Sequence, residues 1–155
     1  MSPVNQVTKK PSSDIKWNGI GKQDFVSFFK ENPVCYLATA DNGKPSVRPV
    51  QLMFESEGKL YFCTANTKNM YKQMKNRPIC GASGFVKGYV TTLRINGEVK
   101  FSNDFSIKER VIKENALVRS IYKTPDNPVF EIFYIEHGNA TFQYINGQPA
   151  KVTMF

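Results

Sequence analysis

Two short segments carry residue types suited to holding a small anionic molecule. The first is Ser46-Val47-Arg48-Pro49-Val50-Gln51-Leu52. A proline inside a strand removes a ladder donor and so marks an edge or a bulge. An edge of this kind leaves main-chain N–H and C=O groups for a flat heterocycle with donors and acceptors of its own. The alternative is a plain edge strand whose Arg48 snorkels to solvent. The second segment is Cys63-Thr64-Ala65-Asn66-Thr67-Lys68-Asn69, where a strand end runs into a helix start. Free amides and the positive end of the helix dipole suit a phosphate there. Thr64 and Thr67 add hydroxyls and Lys68 a point charge. The alternative is an ordinary helix cap followed by a solvated basic helix.

Other chemistries find less support. Cys35, Cys63 and Cys80 form no CxxC pair, and each lies in an apolar stretch. They read as buried reduced thiols of a cytoplasmic protein. His137 is the single histidine, with no cysteine near it, so no metal site is expected. One histidine also removes most nucleophile–base schemes that rely on imidazole. Tyr36, Tyr61 and Tyr89 read as packing residues, which leaves the catalytic residues unknown.

These segments need a scaffold, and the composition says which kind. The 155 residues fit one domain, and 41% hydrophobic with 22% charged residues is globular composition. Twelve Phe and seven Tyr favour strands. Twenty-one Lys and Arg against thirteen Asp and Glu give a net charge of +8, which draws anions. From Asn66 to Arg77 the basic residues Lys68, Lys72, Lys75 and Arg77 stand without an acid among them. From Ser106 to Lys123, Glu109 and Glu114 interrupt the basic residues, as on a solvated helix face. No apolar run reaches the ~18 residues of a membrane span. The first residues lack the apolar core of a secretory signal. Residues 1–20 are expected to form a flexible arm and residues 21–155 the domain.

The pattern along the chain predicts a helix from Lys22 to Asn32, with Phe25, Phe28 and Phe29 on one face and Pro33 after it. Val34 to Ala40 predicts a buried strand, Asn42-Gly43 a hairpin turn, and Pro45 to Glu55 a second strand interrupted at Pro49. Glu57-Gly58 turns into a third strand from Lys59 to Ala65. A short helix is expected from about Thr67 to Asn76, with Met70 and Met74 four apart. Ile79 to Val86 and Tyr89 to Ser102 read as strands joined at Lys87-Gly88, with Gly97 marking a bulge or bend. Ser106-x-x-Glu109 reads as a capping box for a helix through Tyr122, with Ile107, Val111, Val118 and Ile121 on one face. The last strands are expected from Phe130 to Glu136 and Ala140 to Ile145, joined at His137-Gly138-Asn139. Asn146-Gly147 reads as a turn. The fold class is therefore mainly β (α+β): six or seven antiparallel strands with two or three flanking helices. Closure into a barrel would remove the sheet edges. The absence of βαβ alternation and of GxGxxG excludes a Rossmann domain. The two functional segments are expected on adjacent strands of one hairpin.

Taken in order, NPVCYLATADNGKPSVRPV, GKLYFCTANTKNMYKQM and LRINGEVKF resemble the FMN-binding split barrel of the pyridoxamine 5'-phosphate oxidase-like proteins, in its small stand-alone bacterial members. The resemblance covers roughly residues 22 to 145 and implies FMN as cofactor. Carried over, it implies that Arg48 pairs with the FMN phosphate or the flavin pyrimidine edge. It places main-chain groups of Pro49, Val50 and Gln51 against the isoalloxazine, and Thr64, Lys68 and Asn69 around the phosphate. It further implies a homodimer with the flavin at the subunit interface, and puts Thr92 where a partner-subunit flavin would be met. The departures are specific. Met53 stands where the oxidase pattern has a substrate-binding Lys, and Thr67-Lys68-Asn69 replaces a longer Ser-Arg-Lys run. The helix from Ser106 lacks the Tyr, Arg and Ser set that grips a substrate phosphate. The C-terminal Trp and Arg-x-His elements are missing.

The expected function is thus an FMN-dependent oxidoreductase or reductase with a small-molecule electron donor or acceptor, distinct from a bona fide pyridoxamine 5'-phosphate oxidase. A flavin-binding sensor or carrier without turnover is the second reading. A nucleic-acid-binding basic barrel ranks last, because the Phe and Tyr runs look like core rather than a stacking platform.

Overall fold

The computed structural model of the protein describes residues 22–85, 91–145 and 147–155. The expected N-terminal arm, the Lys87-Gly88 turn, Tyr89, Asn146 and the Phe25 side chain lie outside the described residues. Helix α1 (Lys22–Glu31) leads into the hairpin of β1 (Val34–Asp41) and β2 (Lys44–Gln51). Next come β3 (Phe54–Ser56), β4 (Lys59–Ala65), α2 (Asn69–Asn76), β5 (Ile79–Phe85) and β6 (Thr91–Ser102). The chain ends with α3 (Phe105–Glu114), α4 (Ala116–Tyr122), β7 (Phe130–Tyr144) and β8 (Lys151–Met154).

The strands form one mostly antiparallel sheet in the order β2-β1-β5-β6-β7-β4-β3, with β8 added on β7. Among the described residues, eight strands and four helices exceed the six or seven strands and two or three helices expected. The predicted closure is corrected too, because β2 and β3 remain as unpaired ends of the sheet. The predicted strand from Pro45 to Glu55 is cut at its middle, where the chain changes partner. Leu52 N–H donates to the Pro33 carbonyl at 2.8 Å, still beside β1, and Met53 N–H donates to the Tyr61 carbonyl at 2.9 Å, now beside β4. The sheet therefore stays open between β2 and the β3–β4 end, with no strand pairing across the gap. Strands β2 and β4 pair with other neighbours, so the expected hairpin between the two functional segments does not exist.

The interior is aromatic. Phe28 and Phe29 of α1, Phe62 of β4 and Phe133 and Phe142 of β7 are fully buried. Phe62 and Phe133 stack at 5.3 Å, and Phe28 meets Phe142 edge-to-face at 6.1 Å. A second core lies under α3 and α4, where Phe54, Tyr61 and Phe130 pack against Val111, Val118 and Tyr122.

The predicted two strands about His137 are one continuous strand, β7, with a bulge. Pairing with β6 shifts between Asn96 and Glu98, and His137 takes a left-handed φ of 49°. A Cβ on Gly97 would lie 2.5 Å from Ile135 Cγ2, and one on Gly138 would overlap the Asn96 carbonyl oxygen. Two glycines facing each other allow the strands to cross that point without parting. The Gly97 bulge was legible; the continuity of β7 was not, because His-Gly-Asn reads as a turn. The β8 strand had no sequence signal beyond its short apolar alternation.

The predicted helix from Ser106 to Tyr122 is also corrected. Its cap is Asp104, whose carboxylate accepts from Ser106 N–H at 2.9 Å, and not Ser106. The helix breaks at Asn115, which ends α3 and caps α4 by accepting from Val118 N–H at 3.0 Å. The break turns the second half, so Val111 and Val118 are buried while Ile121 is exposed. No described helix is long and apolar enough to cross a membrane.

Candidate functional site

The Asn42-Gly43 turn decides which groups of β2 face outward. Both residues have positive φ, 47° and 77°, as a two-residue hairpin turn requires. Asp41 and Lys44 flank it as a hydrogen-bonded pair, and such pairs recur at every second residue: Thr39 with Ser46, Leu37 with Arg48, Cys35 with Val50. The Leu52-to-Pro33 bond continues the series. Val47, Pro49 and Gln51 occupy the alternate positions and turn their main-chain groups away from β1. Pro49, which has no N–H, thus sits where the ladder needs none. The open edge presents the Pro49 carbonyl and both main-chain groups of Gln51. The main-chain groups of Val50 belong to the ladder with Cys35, so Val50 contributes its side chain instead.

Helix α2 brings the basic half of the site. It begins at Asn69, somewhat later than predicted. Lys68 stands at the cap position with extended backbone and no side-chain cap. The first-turn amides of Asn69 and Met70 therefore open the helix without a side-chain acceptor. Met70 and Met74 sink into the core and fix the roll of the helix. Asn66 pins the approach from β4: its side-chain amide donates to the Pro128 carbonyl at 2.8 Å and to Glu131 Oε1 at 3.2 Å.

Across the split, Arg48, Pro49, Val50, Cys63, Lys68 and Asn69 line one cleft of about 300 Å³, with Met70 adding apolar surface. That volume is at the small end for small-molecule sites. Arg48 does not snorkel. Its Nη1 donates to Thr39 Oγ1 at 2.7 Å and to the Ser46 carbonyl at 3.1 Å, with a longer contact to the Leu37 carbonyl at 3.4 Å. Its Nη2 donates to Gln73 Oε1 at 2.9 Å. Partial burial lowers the Arg48 pKa from its ordinary value by desolvation, yet a guanidinium starts so high that it stays charged.

Of the predicted residues, Arg48, Pro49, Val50, Lys68 and Asn69 meet in this cleft. Thr64 does not line it. Its side chain turns to the interior, where its hydroxyl is buried without a hydrogen-bond partner. Gln51 lines a neighbouring cleft of about 320 Å³ with Phe29, Leu52, Met53, Phe54 and Asn115. Thr92 lies on β6 between Phe85 and Gln143, away from the cleft within this chain. Tyr61 stacks on Phe54 at 4.8 Å as a packing residue, but Tyr36 is 47% exposed, so its predicted packing role fails within the chain. Met53 is held by sulfur contacts, 3.9 Å from Cys63 Sγ and 3.8 Å from Asn115 Nδ2.

Cys63 is the lining residue that the sequence reading missed. Period two in KLYFCTA, with Leu60 and Phe62 inward, already turns Cys63 to the opposite face. Burial pushes its thiol up to about 11, against a smaller opposing effect of Lys68. Burial likewise raises Cys35 and Cys80 to about 12, so the structure bears out three neutral thiols, two of them buried. No cluster that could hold a metal ion occurs among the described residues.

The donor set suits a phosphate monoester carried by a planar ring. Lys68, the first turn of α2 and Arg48 line the same cleft, and the open β2 edge could supply acceptors and a donor beside it.

A family model described as pyridoxamine 5'-phosphate oxidase matches residues 22–153. A NimC/NimA family protein from Clostridium acetobutylicum is 32% identical, with a TM-score of 0.79 over 87% of this chain and 92% of that one. A pyridoxamine 5'-phosphate oxidase-related, FMN-binding protein from Nostoc punctiforme is 14% identical, with a TM-score of 0.64 over 84% of each chain. A FAD-binding protein from Mesorhizobium loti is 17% identical, with a TM-score of 0.57 over 78% of this chain and 92% of that one. The last two likenesses are of fold. No curated protein matches the chain.

Proposed function

The chain belongs to the pyridoxamine 5'-phosphate oxidase family, and on that premise we propose that it is an FMN-binding flavoprotein acting as an oxidoreductase on a small molecule. The observation that carries this reading is the meeting of Arg48 with Lys68 and Asn69 in one cleft beside the open edge of β2. A single cationic corner suits the single terminal phosphate of FMN. The Nostoc relative, described as FMN-binding, supports the same choice.

When bound, the flavin supplies the electron chemistry. This chain's residues bind and orient it. Lys68 and the first-turn amides of α2 hold the phosphate, and Arg48 adds a fixed charge. The Pro49 carbonyl and the Gln51 main chain hydrogen-bond the ring edge, and Val50 packs against it. Cys63, a neutral thiol, offers polarizable surface rather than a nucleophile. Oxidation of pyridoxamine phosphate is not the expected reaction. Met53, held between Cys63 and Asn115, offers no charge to a second phosphate.

The outer sheet face exposes Tyr36, Val47 and Ile79 together, 47%, 64% and 63% accessible. Such a patch supports a homodimer burying it. Thr92 would then meet the flavin of the neighbouring copy.

A second reading, a flavin carrier or sensor without turnover, is favoured by one feature. Among the described residues lining the cleft, none is a His, Asp, Glu or Tyr able to move a proton. Anaerobic mixing of the FMN-loaded protein with NAD(P)H separates the two. Bleaching followed by reoxidation with an added nitro or quinone acceptor supports the oxidoreductase; stoichiometric FMN that never bleaches supports the carrier. Failure to bind FMN at all would remove both.

A further inference from the structure

Arg48 is not left to find its own position, and the residue that aims it lies on the phosphate-binding helix. Gln73 stands one turn beyond Asn69 in α2, so the two share a face. Gln73 Oε1 accepts twice, from Arg48 Nη2 at 2.9 Å and from Thr39 Oγ1 at 2.6 Å. Thr39, 4% exposed, accepts in turn from Arg48 Nη1 at 2.7 Å. The side-chain amide of Gln73 completes the set with a long contact to Ser46 Oγ at 3.5 Å. The directions are consistent: arginine donates to the threonine hydroxyl, the hydroxyl donates to the glutamine oxygen, and arginine donates to the same oxygen.

Counting the donors shows what remains. A guanidinium has five N–H groups. Nη1 is committed to Thr39 and the Ser46 carbonyl, and one hydrogen of Nη2 to Gln73. Among the described residues, Nε–H and the second Nη2 hydrogen have no protein acceptor. Those two belong to the side of the guanidinium that makes bidentate contacts with phosphate or carboxylate oxygens. The bond to Gln73 also ties Arg48, across the split, to the helix whose first turn carries Asn69.

We propose that Gln73, backed by Thr39, is a positioning residue that orients Arg48 toward the phosphate of the bound flavin and joins it to the α2 anion site. The inference rests on the FMN reading above and decides which end of FMN Arg48 serves. Without Gln73, Arg48 keeps its charge but loses the orientation that makes the charge specific for the phosphate.

The test is a binding cycle on the full chain, read by quenching of flavin fluorescence with FMN and with riboflavin, which lacks the phosphate. Gln73→Leu keeps size and helix propensity while removing the acceptor; it is expected to weaken FMN about tenfold and to leave riboflavin within about twofold. Arg48→Ala should lose more FMN affinity, and adding Gln73→Leu to it should change nothing further. Thr39→Val should weaken FMN in the same direction as Gln73→Leu, and Thr39→Ser, which keeps the hydroxyl, should restore it. Thermal melts of the flavin-free variants separate positioning from loss of fold. Equal FMN affinity in wild type and Gln73→Leu, equal losses for FMN and riboflavin, or full additivity with Arg48→Ala would overturn the proposal while leaving the flavin reading standing. Wild-type protein that binds no FMN would overturn both.

Discussion

At the scale of single residues, the proposed site sets an exposed charge against a held one. Lys68 is exposed at the uncapped start of α2, whereas Arg48 is held by Thr39 and Gln73. Lys68→Ala is therefore expected to weaken FMN by about tenfold, the effect of one charge-assisted contact in a partly solvated place. The loss should shrink as salt is raised, which equilibrium titration at two ionic strengths will show. The thiols give a second prediction. Burial raises Cys35 to about 12, Cys63 to about 11 and Cys80 to about 12, from an unperturbed 9.0. In the native state they stay protonated where unfolded thiols ionise, so the native state binds more protons between those values. Their contribution is whole below pH 9.0 and is lost progressively as pH rises toward 11 to 12. Urea midpoints should fall between pH 8 and pH 10, and alkylation by iodoacetamide at pH 8 should be slow until urea is added. That Arg48, Lys68 and Asn69 would come together was legible from residue type and from the resemblance. Gln73 was not, because its role depends on a helix face meeting a strand 25 residues earlier in the chain. Thr64 was misplaced because period two at the end of a strand turns it inward, opposite to Cys63.

Among the elements, what was legible was whatever local chemistry dictates. Asn42-Gly43 gives its hairpin, Pro33 follows its helix, and Gly97 marks its bulge. What was hidden depends on partners distant in sequence: the switch of Leu52 and Met53 from β1 to β4, the continuity of β7, and the addition of β8. The glycine crossing is open to test. Gly138→Ala should destabilise by about 1–3 kcal/mol or more, since the new methyl would meet the Asn96 carbonyl oxygen on a backbone that cannot recede. Denaturant melts will measure it. Asn115→Ala should cost about 1 kcal/mol by removing the acceptor for Val118 N–H at the start of α4. Because Asn115 also touches Met53, the same variant will show whether the neighbouring cleft influences flavin binding.

Considered as a whole molecule, the protein is an open sheet rolled around an aromatic interior, with the ends of the sheet kept apart at β2 and β3. In the proposed reading, the gap lets the flavin reach both the strand edge and the helix start. The exposed Tyr36, Val47 and Ile79 face is expected to bury itself in a second copy, so Val47→Glu should shift the sedimentation of the protein from dimer to monomer. The central claim is that the Arg48 and Lys68 cleft holds FMN by its phosphate. The most direct measurement is the absorption spectrum of the freshly purified protein, followed by titration of stripped protein with FMN. The account predicts bands near ~450 nm, the signature of oxidised flavin, and one FMN per chain, with binding abolished in the Arg48→Ala, Lys68→Ala double variant. A colourless protein that takes up no added FMN, or a double variant that binds it as tightly as wild type, would contradict it.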